Sequence, residues 1–241
     1  QRLANPSIDH AAASMLPHTV FNVPGGETTT YIYDAGKLKS IKNRTVTKQF
    51  EYDLLDRLSL VTIINPRAPG EVQVITYEYG PTKNRLPLSA IVRTDGTEDH
   101  AQLQRRILFK FNDAGLKISE TEFSDELAFE VKHTFFEYDS KNNCNAMVIM
   151  QDQKTVSEMH ILQFDQKPSP FIQLPVLQLL PGEFAKRNNP LIISTSGTDG
   201  KPWVEKHFFE YQTNGWPMRE LIDVGGAKKL LNSFSYLNQN I

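Results

Sequence analysis

Phe50-Glu51-Tyr52-Asp53-Leu54-Leu55-Asp56-Arg57-Leu58 reads as the end of one β-strand, a tight turn and the start of the next. Strand side chains alternate with a period of two, so Phe50 and Tyr52 share one face and Glu51 takes the other. Asp53 and Asp56 are turn formers, because an aspartate can bond nearby backbone groups. The phrase (aromatic, spacer, aromatic, then mostly a turn former) returns in Tyr31-Ile32-Tyr33-Asp34, Tyr77-Glu78-Tyr79-Gly80 and Phe109-Lys110-Phe111-Asn112. It returns again in Phe136-Glu137-Tyr138-Asp139 and Phe209-Glu210-Tyr211-Gln212, with Phe164-Asp165 as a worn copy. Gly36, Asp56, Gly115 and Gly215 follow the second aromatic, and Asn84 and Asn142 do the same job in the other two phrases.

Working outward from these hairpins, alternation predicts strands near 28–33, 38–42, 46–53, 58–64, 71–79, 88–94, 104–111 and 116–123. Further strands are expected near 128–138, 144–151, 155–164, 191–196, 203–211, 217–224 and 228–237, about 14–16 strands in all. Residues 1–27 read as an irregular lead-in, and 28–241 as a single β domain. Both faces of the strands carry apolar side chains, so a flat sheet cannot bury them. The predicted fold is all-β, an antiparallel hairpin meander curled into an open or closed barrel. The second aromatics Tyr33, Tyr52, Tyr79, Phe111, Tyr138 and Tyr211 are expected as a ladder on its buried face.

One stretch breaks the rhythm. Asp165 to Pro190 holds five of the 14 prolines together with Phe171, Leu174, Leu177, Leu180 and Phe184. Proline removes ladder donors, yet the segment is too apolar for water. It is expected to plug or cap the barrel, with a short helical turn after Pro175.

The composition bounds the function. Of 241 residues, 39% are hydrophobic and 22% charged, which are globular values, and the net charge of −2 offers no field for nucleic acid. Charge on both faces of long strands, as in Gln104-Arg105-Arg106 and Glu130-Val131-Lys132-His133, predicts a barrel that does not span a membrane. A single cysteine, Cys144, leaves no internal disulfide and reads as a buried, inert thiol.

The phrases Tyr31-Ile32-Tyr33-Asp34-Ala35-Gly36-Lys37-Leu38 and Phe50 to Leu58 resemble the tyrosine–aspartate (YD) repeats of Rhs and teneurin-type shell proteins. In length and layout the chain is also similar to a group of exported lipoproteins of unknown function from Bacteroides-like bacteria, described as having a porin-like β fold. Phe164-Asp165-Gln166-Lys167-Pro168-Ser169-Pro170-Phe171 and Asn188-Asn189-Pro190 carry that likeness. Ser169 departs from it, standing where asparagine is usual. The resemblance implies a barrel and an exported protein, periplasmic or at the cell surface, lipid-anchored upstream of these residues. It assigns no catalytic or binding residue.

The chemistry searched for is mostly missing from the sequence. It has no phosphate loop, nucleophile elbow or zinc-protease motif, and its six histidines form no pair at metal-ligand spacing. No cofactor, metal site or catalytic residue is expected. Glu51, Glu78, Glu137 and Glu210 recur at one level, read as a solvated face with basic partners. The alternative is a glycan hydrolase using paired carboxylates on a concave sheet face. Trp203 and Trp216 lie beside turns and are the candidate ligand-binding residues, since tryptophan can stack on a sugar or anchor a partner. The function this supports is a non-catalytic exported envelope module that binds or scaffolds, its partner a glycan or an envelope protein.

Overall fold

The computed structural model describes residues 15–81, 85–95, 103–124 and 130–238. Its strands are β1 (Met15–Asn22), β2 (Glu27–Asp34), β3 (Lys37–Lys42), β4 (Thr47–Tyr52), β5 (Leu58–Asn65), β6 (Ala68–Glu78), β7 (Ser89–Asp95) and β8 (Leu103–Phe111). Then follow β9 (Lys117–Ser124), β10 (Glu130–Tyr138), β11 (Cys144–Gln151), β12 (Lys154–Pro168), β13 (Asn188–Ser196), β14 (Pro202–Tyr211), β15 (Pro217–Val224) and β16 (Ala227–Asn238). Each pairs antiparallel with its neighbour in sequence, and β1 pairs with β16 to close the barrel.

The expected irregular lead-in contains a strand. Residues 15–22 are a barrel strand, running from Met15 opposite Asn238 to Asn22 opposite Asn232. Pro17 sits at a shift in that register, where the ladder tolerates a missing donor. The expected tail over 1–14 and the Asn84 turn lie outside the described residues.

The repeat phrase sets one rim of the barrel. Gly36, Asp56, Gly115, Asn142 and Gly215 all take left-handed backbone, with φ of 77°, 62°, 76°, 64° and 85°. Asp53 Oδ1 accepts from Leu55 N–H and Arg57 N–H, both at 2.9 Å, and Asn112 and Asp139 close their turns the same way.

The aromatics divide the work more finely than a single ladder. In five of the six pairs the first lies deeper: Tyr31, Phe50, Tyr77, Phe109 and Phe136 are buried, while Phe209 is half-buried. The second is half-buried at the rim. There the hydroxyls of four of these second aromatics reach a carbonyl at or near the start of the preceding odd-numbered strand, whereas Phe111 has no hydroxyl and Tyr211 turns to Asp165. Tyr33 donates to Pro17 O (2.7 Å), Tyr52 to Leu38 O (2.9 Å), Tyr79 to Leu58 O (2.7 Å) and Tyr138 to Lys117 O (3.0 Å). Tyr236 repeats the bond to Pro217 O at 2.7 Å. Each hydroxyl therefore ties one hairpin to the next.

Residues 169–187, between β12 and β13, fold into the barrel as the plug. Pro175–Leu179 is a short 3-10 turn with proline in its first turn, where the missing N–H costs nothing. Leu174, Leu179 and Leu180 are buried in one core with Leu38, Phe50, Leu58, Val61, Ile75 and Val92 from the β3–β7 wall. Phe171 meets Tyr31 at 5.9 Å between ring centres, and Phe184 meets Phe136 at 6.3 Å.

Candidate functional site: the plugged lumen

Polar contacts fix the plug where the apolar ones leave its backbone unpaired. Tyr77 Oη donates to Leu179 O (3.1 Å) and Lys117 Nζ to Leu180 O (2.9 Å). Gly182 N–H donates to Glu120 Oε1 at 2.7 Å, and Lys117 Nζ pairs with Glu120 Oε2 at 2.8 Å. Lys117 is 0% exposed. Its ammonium also lies 5.0 Å from the centre of the Phe136 ring. Burial pulls its pKa below the ordinary lysine value, against the opposing pull of Glu120.

The base of the plug is a second clasp. Asp165 accepts from Tyr211 Oη, from Asn189 Nδ2 (3.0 Å) and from Asn189 N–H (3.2 Å). Asn189 Nδ2 also reaches Pro168 O at 3.2 Å. The Phe164-Asp165 and Asn188-Asn189 phrases thus meet in space, where they hold both ends of the insert.

The wall from β9 to β16 is more polar. Glu122 takes Arg105 at 2.8 Å and Lys132 at 3.3 Å on the inner face. Nearer the seam, Asn22 Nδ2 donates to Asn232 Oδ1 (3.1 Å), Asn232 Nδ2 to Glu220 Oε2 (2.7 Å), and His207 Nδ1 bonds Glu220 Oε1 (2.9 Å). His207 is 7% exposed, and its Nε2 has no hydrogen-bond partner. Burial opposes its protonation, but Glu220 and Glu205 together carry its pKa above the ordinary histidine value.

Between this wall and the plug lies a cavity of about 280 Å³. Met159, Ile161, Phe164, Ile193, Phe209 and Phe234 line its barrel side, with Glu220 the carboxylate among them. The plug contributes Phe171, Phe184, Lys186 and Arg187. Cys144 lines it too, and burial pushes that thiol up to about 12, an inert state as expected. Among the described residues no group of three His, Cys, Asp or Glu side chains is placed to hold a metal.

The two tryptophans do not come together. Trp216 is 3% exposed and packs on Tyr236, 5.5 Å between ring centres, so its ring fills the core and cannot stack on a ligand. Its place beside a turn hid this, because Tyr236 reaches it from β16. Trp203 is 52% exposed and lies at the opposite end of β14, paired with Thr195 on the inner face. Glu51, Glu78, Glu137 and Glu210 stand on the convex outside. Arg106 pairs with Glu78 at 3.0 Å and Arg219 with Glu210 at 3.3 Å. They cannot line a concave face, which removes the basis proposed for a hydrolase. His133 and His207 differ by one residue in register, and one residue reverses the face. His133 is outside, stacked on Phe135 at 4.0 Å, while His207 is inside. The sequence signal for the inward polar set was alternation alone, which names a face but not the neighbour across the lumen.

No protein-family model matches the chain, and no curated protein is similar to it. Among solved structures it is similar to a porin-like protein from Bacteroides vulgatus, with a TM-score of 0.55, 12% identity, 94% of this chain covered and 100% of that one. A porin-like protein from Bacteroides uniformis gives 0.54, 13%, 93% and 96%. At these identities the likeness is one of fold.

Proposed function

We propose that this chain is a non-catalytic binding barrel of the cell envelope that holds a small, apolar-bodied ligand between its plug and its wall. The observation that carries this is the cavity itself, walled by aliphatic and aromatic side chains and adjoined by a few fixed polar groups, the usual make-up of a small-molecule site. Envelope placement is supported by the barrel shared with porin-like Bacteroides proteins, together with the phrases around Asp165 and Asn189. The outer face supports a barrel in water. Arg106 near the middle of β8 and Lys206 near the middle of β14 point outward. Each would cost about 2–4 kcal/mol at the midplane of a bilayer. Trp203, on the inner face at the far rim, is the anchor this reading offers to a glycan or an envelope protein.

The test is fluorescence of the neutral probe N-phenyl-1-naphthylamine with wild type and with Ile193→Trp, which fills the cavity. Binding that saturates in wild type and is lost in the variant, at an unchanged unfolding midpoint, is the expected result. Equal binding by both proteins would exclude the cavity as the site. Turnover on a polysaccharide panel, abolished by Glu220→Gln, would replace the binding reading with an enzymatic one.

A further inference from the structure

We infer that the lumenal cavity takes an amphipathic monoanion, an apolar ring or chain with one carboxylate-like head held by Arg187 and Lys186. The inference deepens the binding-barrel reading and rests on it. Size comes first. A dry cavity of about 150 Å³ accepts benzene, so about 280 Å³ has room for a bicyclic ring or a chain of about ten carbons.

Charge gives the polarity. Glu220, at the barrel side, already accepts from His207 on one oxygen and from Asn232 on the other. Lys186 Nζ lies 3.4 Å from Glu183, and 5.5 Å and 5.8 Å from the Phe171 and Phe184 ring centres, which fixes it over rings that line the cavity. Arg187 is different. It is half-buried, its carbonyl accepts from Ser169 N–H at 2.8 Å, and its guanidinium meets no carboxylate among the described residues. A half-buried guanidinium at the edge of an apolar pocket favours a planar anion that accepts two of its N–H groups.

The position of the two cations sets the orientation. Phe171, Lys186 and Arg187 line both the cavity and a second, groove-like pocket against the turn at Asp113–Leu116. The head therefore sits at the rim that carries the plug, and the apolar body points inward to Ile161, Ile193 and Phe234. A cationic head would meet the Arg187 guanidinium beside a Lys186 already paired with Glu183, and a neutral one would leave Arg187 without a carboxylate.

The experiment displaces N-phenyl-1-naphthylamine with decanoate, decanol and decylamine, each below its aggregation concentration. These share a chain and differ in head charge. Decanoate should displace the probe about tenfold more tightly than decanol, and decylamine should be weakest. Arg187→Gln should erase the preference while leaving decanol unchanged, and Arg187→Lys should keep part of it. Raising the salt concentration should weaken decanoate selectively in the wild-type protein, a readout that needs no variant. Equal affinity for decanoate and decanol in wild type overturns the anion assignment yet leaves the cavity reading intact. Failure of the probe and of all three chains to bind overturns both.

Discussion

Lys117 occupies a repeat position, two residues after the left-handed turn residue, at which other hairpins carry Leu38, Leu58, Cys144 and Pro217, all buried. A lysine there is tolerated because Glu120 and the Leu180 carbonyl replace its water. Lys117→Met should cost about 3–5 kcal/mol in urea unfolding, since it strands a buried carboxylate. Adding Glu120→Gln should recover part of the loss, and a single-variant cost under about 1 kcal/mol would refute the clamp. The tyrosines make a second prediction. All eight have pKa values raised by burial, to about 12 for Tyr52 and Tyr79 and higher for the rest. The unfolded chain releases these protons near pH 10 while the folded chain keeps them. The stability they contribute is therefore whole below pH 10 and lost as pH rises through the folded values. Absorbance at about 295 nm should show no tyrosinate until cooperative unfolding above about pH 11; gradual ionisation from pH 10 with the fold intact would count against the burial of the tyrosines.

At the level of elements, the plug was legible in the sequence and the first strand was not. Five large apolar side chains among prolines cannot pair in a ladder or stand in water, so a curled sheet had to cover them. Leu180→Ala, which empties a buried site and leaves its backbone clamp in place, should destabilise by about 2–5 kcal/mol in chemical denaturation. No measurable loss would mean that the plug is merely adjacent to the core. Met15–Asn22, by contrast, carries Pro17 and little alternation, and its partner Ala227–Asn238 lies at the other end of the chain. Nothing local signals such a pairing. Trp216 eluded the sequence for the same reason, since the ring that covers it comes from β16.

Over the whole molecule, closure depends on the chain's two outermost described strands. Deleting residues 15–22 would bare β2 on one side of the gap and β16 on the other, two edges with unpaired N–H and C=O groups. The truncated chain should elute as oligomers or aggregate in size-exclusion chromatography at concentrations where the intact chain elutes as a smaller species. An unchanged elution volume would mean that the seam is dispensable. Fifteen of the sixteen strands and their antiparallel order were readable from turn spacing. Closure itself was not, because both an open and a closed meander satisfy the same hairpins.

The two rims of the barrel differ in their freedom to change. The turns after the aromatic pairs, the plug and both ends of the described chain crowd one rim, where hydroxyls, clasps and the cavity's cations depend on one another. The opposite rim is made of connections such as Asp152-Gln153, 197–201 and Gly225-Gly226, which join strands and touch neither the plug nor the tyrosine bonds. New sequence can enter there without disturbing the interior. A tag or a foreign epitope spliced between Gly225 and Gly226 should be displayed in solvent while the plug keeps its contacts, so this half of the barrel is the natural place to graft, label or immobilise the molecule.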